Sequence, residues 1–287
     1  MEQNNNSNSR IESFLENPSK ALWTLAIPIM FGMGIHTLYN LIDMIFIGRL
    51  GGSAIAGVAF NMPIFFLMLG LTMGLGSGIT SAIARYIGEK NKEKADNSAD
   101  HALFIAAIIS FFFTIAGVIY GKDILIILGA EGDILSLGYD YLSYIVLGLP
   151  FMVFSGFFRS ILAGEGDMKF PMMIAGLGTI LNIVLDPIFI FDLDNYWGLG
   201  LGLGVKGAAL ATVISQLTVF IIFSYMLFIK KHAYISFNFK NFKLSKEILW
   251  NIVKVGVPAS LSMIIMAVGQ GVFNKILINC SPQTVAA

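Results

Sequence analysis

The 287 residues are 56% hydrophobic and 13% charged, with zero net charge and a mean hydropathy of +0.78. Soluble domains average about 25% charged residues, so this composition excludes an ordinary water-soluble fold. Zero net charge leaves no basic field for nucleic acid, and the single Cys280 excludes a disulfide framework or a cysteine metal site within one chain.

Residues 1–20 form a polar, Asn- and Ser-rich tail. The tail lacks the basic start, short apolar core and small-residue cleavage site of a signal peptide. Seven apolar stretches follow, at about 22–48, 54–86, 99–120, 136–163, 170–191, 206–229 and 248–278. Each is near or above the roughly 20 residues that a helix needs to cross the hydrocarbon. Pro63 and Pro187 are natural kink points because each removes a backbone donor. The pattern predicts an all-α integral membrane protein. Its N-terminal lobe of six helices covers 21–229, a polar linker covers 230–247, and a seventh helix lies in 248–287.

Basic residues concentrate on the cytoplasmic side of membrane proteins. A cytoplasmic N-terminus puts 14 of the 18 Lys and Arg inside, and leaves Arg49, Lys122, Lys206 and Lys275 outside. The 230–247 linker is then cytoplasmic as well.

The seventh span resembles the first. A shift of 230 aligns Pro28 with Pro258, Met33 with Met263, Ile35 with Ile265 and Ala56 with Ala286. Both spans run from inside to outside, as in a parallel repeat about an axis along the membrane normal. The repeat predicts a whole first lobe and the beginning of a second, with little for the seventh helix to pack against.

Two acids interrupt the apolar runs. A carboxylate at mid-helix costs about 2.5–3.5 kcal/mol on an insertion scale, so Asp43 and Asp186 are candidates for function. Asp43 lies about five residues before the outer end of the first span, and Asp186 about five before that of the fifth. Tyr141 of the fourth span and Thr212 of the sixth fall at the same level, roughly 7–9 Å deep at 1.5 Å per residue. Asn182 is one turn deeper than Asp186 on the same face. Carboxylate, amide and hydroxyl oxygens at Asp43, Asn182, Asp186 and Thr212 suit a hard cation such as Na⁺. The two acids can instead share one proton. Pro187 frees the carbonyl of Ile183 for the same purpose.

Several strings resemble the multidrug and toxic compound extrusion (MATE) family. They are the helix from Pro28 to Gly48 with YNLID at 39–43, the Gly51-Gly52 loop, YLSYIVLGLP at 141–150, LAGEGD at 162–167, NIVLDP at 182–187 and GVKGAALAT at 204–212. The resemblance covers nearly all of 15–287. It implies a two-lobed, twelve-helix antiporter of the cell membrane that expels organic cations or amphipathic drugs in exchange for Na⁺ or H⁺. It needs no cofactor beyond the coupling ion. The family's cation-site positions map onto Asp43, Tyr141, Asn182, Asp186 and Thr212. Substrate would bind between the lobes, against spans 1, 2 and 7, where Met33, His36, Tyr39, Asn40, Met62 and Gln270 are the cavity candidates. A complete member is nearly twice as long, so most of the partner lobe is expected beyond this chain. Phe273 occupies the repeat-equivalent of Asp43, so the acid site is not duplicated.

Other features carry less chemistry. Gly70, Gly74 and Gly78 allow close helix approach. Gly198, Gly200, Gly202 and Gly204 read as a flexible connector, not a dinucleotide fingerprint, since no βαβ unit surrounds them. Arg159 can snorkel to the inner face, and His101 and His232 carry no signal. Two alternatives stand beside this reading: a lipid-linked saccharide flippase of the wider superfamily and, more distantly, an intramembrane aspartyl protease suggested by Tyr139-Asp140 and GEGD at 164–167. The protease fails on geometry, because Asp140 and Asp167 are 27 residues apart at opposite ends of one helix, about 35–40 Å.

Overall fold

The structure is a computed structural model that describes residues 18–192, 200–237 and 242–278. In helix α1 the side chains of Pro28, Met33, His36, Tyr39 and Asn40 lie outside that description.

The chain is helical throughout its described spans. Helix α1 runs Pro18–Gly48, α2 Gly52–Ala59, α3 Met62–Gly88, α4 Lys92–Ile127, α5 Gly132–Gly164, α6 Lys169–Ile190 and α7 Val205–Ser224. A π turn at Tyr225–Ile229 continues α7, and α8 runs Lys246–Ile278. Six segments after α1 are long and apolar enough to cross a membrane, α2 and α3 counting as one and α7 with its π turn as another. Helix α1 adds 31 residues, also enough to span. Large apolar side chains point outward, Phe111 and Phe112 of α4 being 61% and 64% exposed. Lipid, not water, suits such a surface.

The second span departs from its expected form. It is broken at Phe60 and Asn61, and Pro63 sits in the first turn of α3. A proline there costs nothing, since first-turn N–H groups have no intrahelical acceptor. Buried Asn61 bridges the break by donating to the carbonyls of Gly57 at 2.9 Å and Gly138 at 3.1 Å.

Helix α5 is the centre of the lobe. Its buried Leu142, Ile145, Leu149, Val153, Phe157 and Ile161 pack against α2, α3, α4 and α7, while α1 lies on α6. Helix α8 is not left bare. It packs along α3, where a β-carbon on Gly256 would lie 2.8 Å from the Cα of Leu75, and one on Gly78 would strike the carbonyl of Ile252. Small residues let two backbones touch, and dense van der Waals contact then replaces lipid.

The loop before α7 also differs from expectation. Gly198 lies outside the described residues, but 200–204 is ordered. Leu201, Gly202, Leu203 and Gly204 donate to the carbonyls of Ile188, Phe191, Phe189 and Ile190 at 2.7–3.0 Å. These are the carbonyls that a helix end leaves without partners. Gly202 and Gly204 have φ of +63° and +57°, which glycine adopts without steric cost. The strap thereby fixes the start of α7 against the end of α6.

Candidate functional site

The strap and the α1–α6 contact bring three helices together at one level. Asp186 and Asn182 of α6 and Thr212 of α7 are all buried. The Asn182 amide joins them. In the orientation that serves both of its ends, its nitrogen donates to Asp186 Oδ2 at 3.1 Å and its oxygen accepts from the Thr212 N–H at 3.1 Å. From α1, the Asp43 carboxyl group comes within hydrogen-bonding range of that of Asp186. Asp43 Oδ1 is buried, and no described group donates to it. Pro187 lies inside α6 and has no N–H, so the Ile183 carbonyl lacks its i+4 donor.

This arrangement has a definite chemical preference. Two carboxyl groups held together away from water repel if both are ionised. One positive charge between them removes the repulsion, whether a proton or an alkali cation. The carboxylate, amide and hydroxyl oxygens gathered here are hard donors, the chemical kind that an alkali cation prefers.

Tyr141 is buried on α5, its ring centroid 6.2 Å from that of Phe65 on α3. Of the substrate-cavity candidates, the side chains of Met33, His36, Tyr39 and Asn40 lie outside the described residues. Met62 is half-buried at the start of α3, and Gln270 donates to Asn274 Oδ1 at 3.0 Å. Their neighbours Pro63 and Gly271, with Leu67, Leu142, Val268 and Lys275, line an apolar cavity of about 510 Å³ between α3, α4, α5 and α8. Neither Met62 nor Gln270 is on its wall.

A second cluster, which the sequence reading missed, lies where the 230–247 linker meets the lobe. Glu165 accepts from the N–H groups of Tyr234 and Ile235 at 3.0 and 2.7 Å. Asp96 accepts from the Ser236 N–H at 2.9 Å, and Lys92 donates to the Tyr234 carbonyl at 2.9 Å. His232 Nε2 is 3.2 Å from Asp167. His101 donates from Nδ1 to the Asn97 carbonyl at 2.7 Å and accepts at Nε2 from the Ser245 N–H at 2.9 Å, which fixes a neutral tautomer. The histidines read as silent therefore hold the linker. Burial raises the Glu165 carboxyl to about 7, with Asp167 adding to the effect, while the two backbone donors and Lys92 oppose it. Of these contacts, Lys92–Asp96 is an i,i+4 pair, a spacing that a sequence can show.

The Arg159 Nε is buried with no hydrogen-bond partner among the described residues. Asp140 pairs with Lys206 at 3.3 Å while Asp167 pairs with His232 at the far end of α5, which leaves no aspartyl dyad between them.

Comparison with known proteins agrees with this architecture. The MatE family model matches residues 28–188. The multidrug export protein MepA of Staphylococcus aureus (strain MRSA252) is 30% identical over 90% of this chain and 55% of its own length. A multidrug resistance MATE family transporter of the MOP superfamily, solved in an outward-facing conformation, superposes with a TM-score of 0.81 at 39% identity. That match covers 88% of this chain and 54% of the other. An inward-facing structure of such a transporter gives 0.82 at 38% identity, covering 93% and 59%. The fold is that of an all-α, multi-pass membrane protein. The chain belongs to the MatE family. It spans about half the length of the relatives it matches.

Proposed function

We propose that this chain is the ion-binding lobe, with the first helix of the second lobe, of a cation-coupled antiporter that exports organic cations or amphipathic drugs. The observation that carries the reading is the meeting of Asp43 and Asp186 inside one lobe, with Asn182 and Thr212 completing an oxygen-lined site. Na⁺ or H⁺ occupies that site. Drug binds between the lobes, next to α1, α3 and α8, and the missing lobe closes over it. The name of the staphylococcal relative, a multidrug export protein, supports the cargo. The protein lies in the cell membrane, with its N-terminal tail and the 230–247 linker in the cytoplasm.

Exchange requires the ion to favour one conformation over the other. Near-equal similarity to outward-facing and inward-facing structures supports a first lobe that moves as one body. The α3–α8 seam, backbone against backbone at Gly78 and Gly256, is where the lobes slide. Drug and ion then weaken each other's binding by the same factor.

The test is efflux by the complete transporter in vesicles, with Na⁺ and H⁺ gradients imposed one at a time. One gradient alone should drive export, and Asp43→Asn should abolish that coupling while the protein still folds. Gradient-driven export at the wild-type rate in Asp43→Asn would refute the reading.

A further inference from the structure

A second cavity, of about 320 Å³, lies near the linker face between α4, α5, α7 with its π turn, and the residues leading into α8. Six phenylalanines wall it: Phe104, Phe154, Phe158, Phe220, Phe228 and Phe242. Among the described residues that line it, Asp100 is the one ionisable group. The rings form two groups. Phe158 lies 6.0 Å from both Phe220 and Phe228, Phe154 5.9 Å from Phe220, and Phe104 5.8 Å from Phe242. Phe104 and Phe228 are the most open of them, at 42% and 38% exposed, and give the cavity its mouth.

Such a wall selects by charge. The face of an aromatic ring carries negative potential, and cages of rings recognise quaternary ammonium groups. A carboxylate beside the rings adds attraction for a cation and repels an anion. Asp100 already has an interaction within the chain. Selectivity therefore rests on the ring faces and the carboxylate together, not on a bare charge. The volume is at the low end of the roughly 300–1,000 Å³ of small-molecule pockets, so the occupant is compact. The site is also separate from the acid pair. Asp100 stands eight residues, about 12 Å, into α4 from the linker face, whereas Asp186 is four residues from the opposite end of α6.

We propose that this phenylalanine-walled cavity binds a compact organic cation at the linker face of the lobe, apart from the Asp43–Asp186 site. Its role as a first docking point for exported cations rests on the efflux reading above, but binding itself does not.

Equilibrium dialysis of radiolabelled tetraethylammonium against the purified chain in lipid nanodiscs, with no gradient, tests the proposal. Saturable binding is expected, weakened roughly tenfold or more by Asp100→Asn and about threefold to tenfold by Phe104→Leu or Phe228→Leu. The two leucine variants change partly exposed rings, so the fold should survive, and thermal melting of each variant checks that. Asp43→Asn should bind as the wild type does. Three results would each overturn the proposal: no saturable binding, equal binding by a folded Asp100→Asn, or loss of binding only in Asp43→Asn. Competition by dodecanoate as effective as that by tetramethylammonium would do the same, since it would mark a lipid crevice. Failure of the Asp43→Asn efflux test leaves this binding result standing, so the two readings fail separately.

Discussion

Asn182 stands one helical turn before Asp186 and ties that carboxylate to α7, with 3.1 Å on the Asp186 side and 3.1 Å to the Thr212 N–H. The amide is the only described side chain that both donates to the acid and accepts from the neighbouring helix. Removing it strands a buried carboxylate, at a cost of about 1–3 kcal/mol. Asn182→Ala should lower the melting temperature of the purified chain, and more than Thr212→Ala does. Equal melting of Asn182→Ala and wild type would contradict the bridging role.

Asp186→Asn should act in the opposite sense on stability. It removes one of two adjacent acids and with it their repulsion, while an amide of the same shape still meets Asn182. Thermal stability should hold or rise, and ion-coupled efflux by the complete transporter should fall at least about tenfold. A variant that lost stability and efflux together would point to a purely structural acid.

The α3–α8 seam predicts a packing effect. Gly256 abuts the Cα of Leu75 at 2.8 Å from an ideal β-carbon position. Overpacking of this kind costs about 1–3 kcal/mol. Gly256→Val should destabilise the chain by that order in denaturation assays and speed proteolysis in the 230–247 linker, whereas Gly269→Val, which has open space around it, should be neutral.

Glu165 predicts a pH dependence. Its carboxyl group is raised from 4.5 to about 7 in the folded chain, so the folded state holds the proton more tightly than the unfolded one. Unfolding free energy therefore falls as pH rises from about 4.5 to about 7, and this contribution is flat outside that window. Glu165→Gln keeps the shape and one acceptor but cannot ionise. Melting curves of the wild type between pH 5 and 8 should show the decline, and those of Glu165→Gln should lack it.

The membrane class, the spans and the presence of two acids inside them were legible in the sequence because each depends on local chemistry. Apolar runs of spanning length need no partner to be recognised, and an acid inside one is conspicuous wherever the helix ends up. Depth counted from helix ends put Asp43, Tyr141, Asp186 and Thr212 at one level and Asn182 one turn deeper, since a helix has a fixed rise per residue.

Azimuth and loop order were not legible, because rotation of a helix about its axis depends on its neighbours. Only the packed bundle showed that Asp43 faces Asp186, that Tyr141 turns toward Phe65 and that Arg159 Nε stays buried. The glycines at 200–204 read as flexible until the unpaired carbonyls at the end of α6 gave them partners. The two backbone N–H groups that Glu165 holds are 69 and 70 residues away. Pairing across such distances leaves no periodic mark in a sequence, so the linker clasp and the phenylalanine cavity were decided by tertiary structure alone.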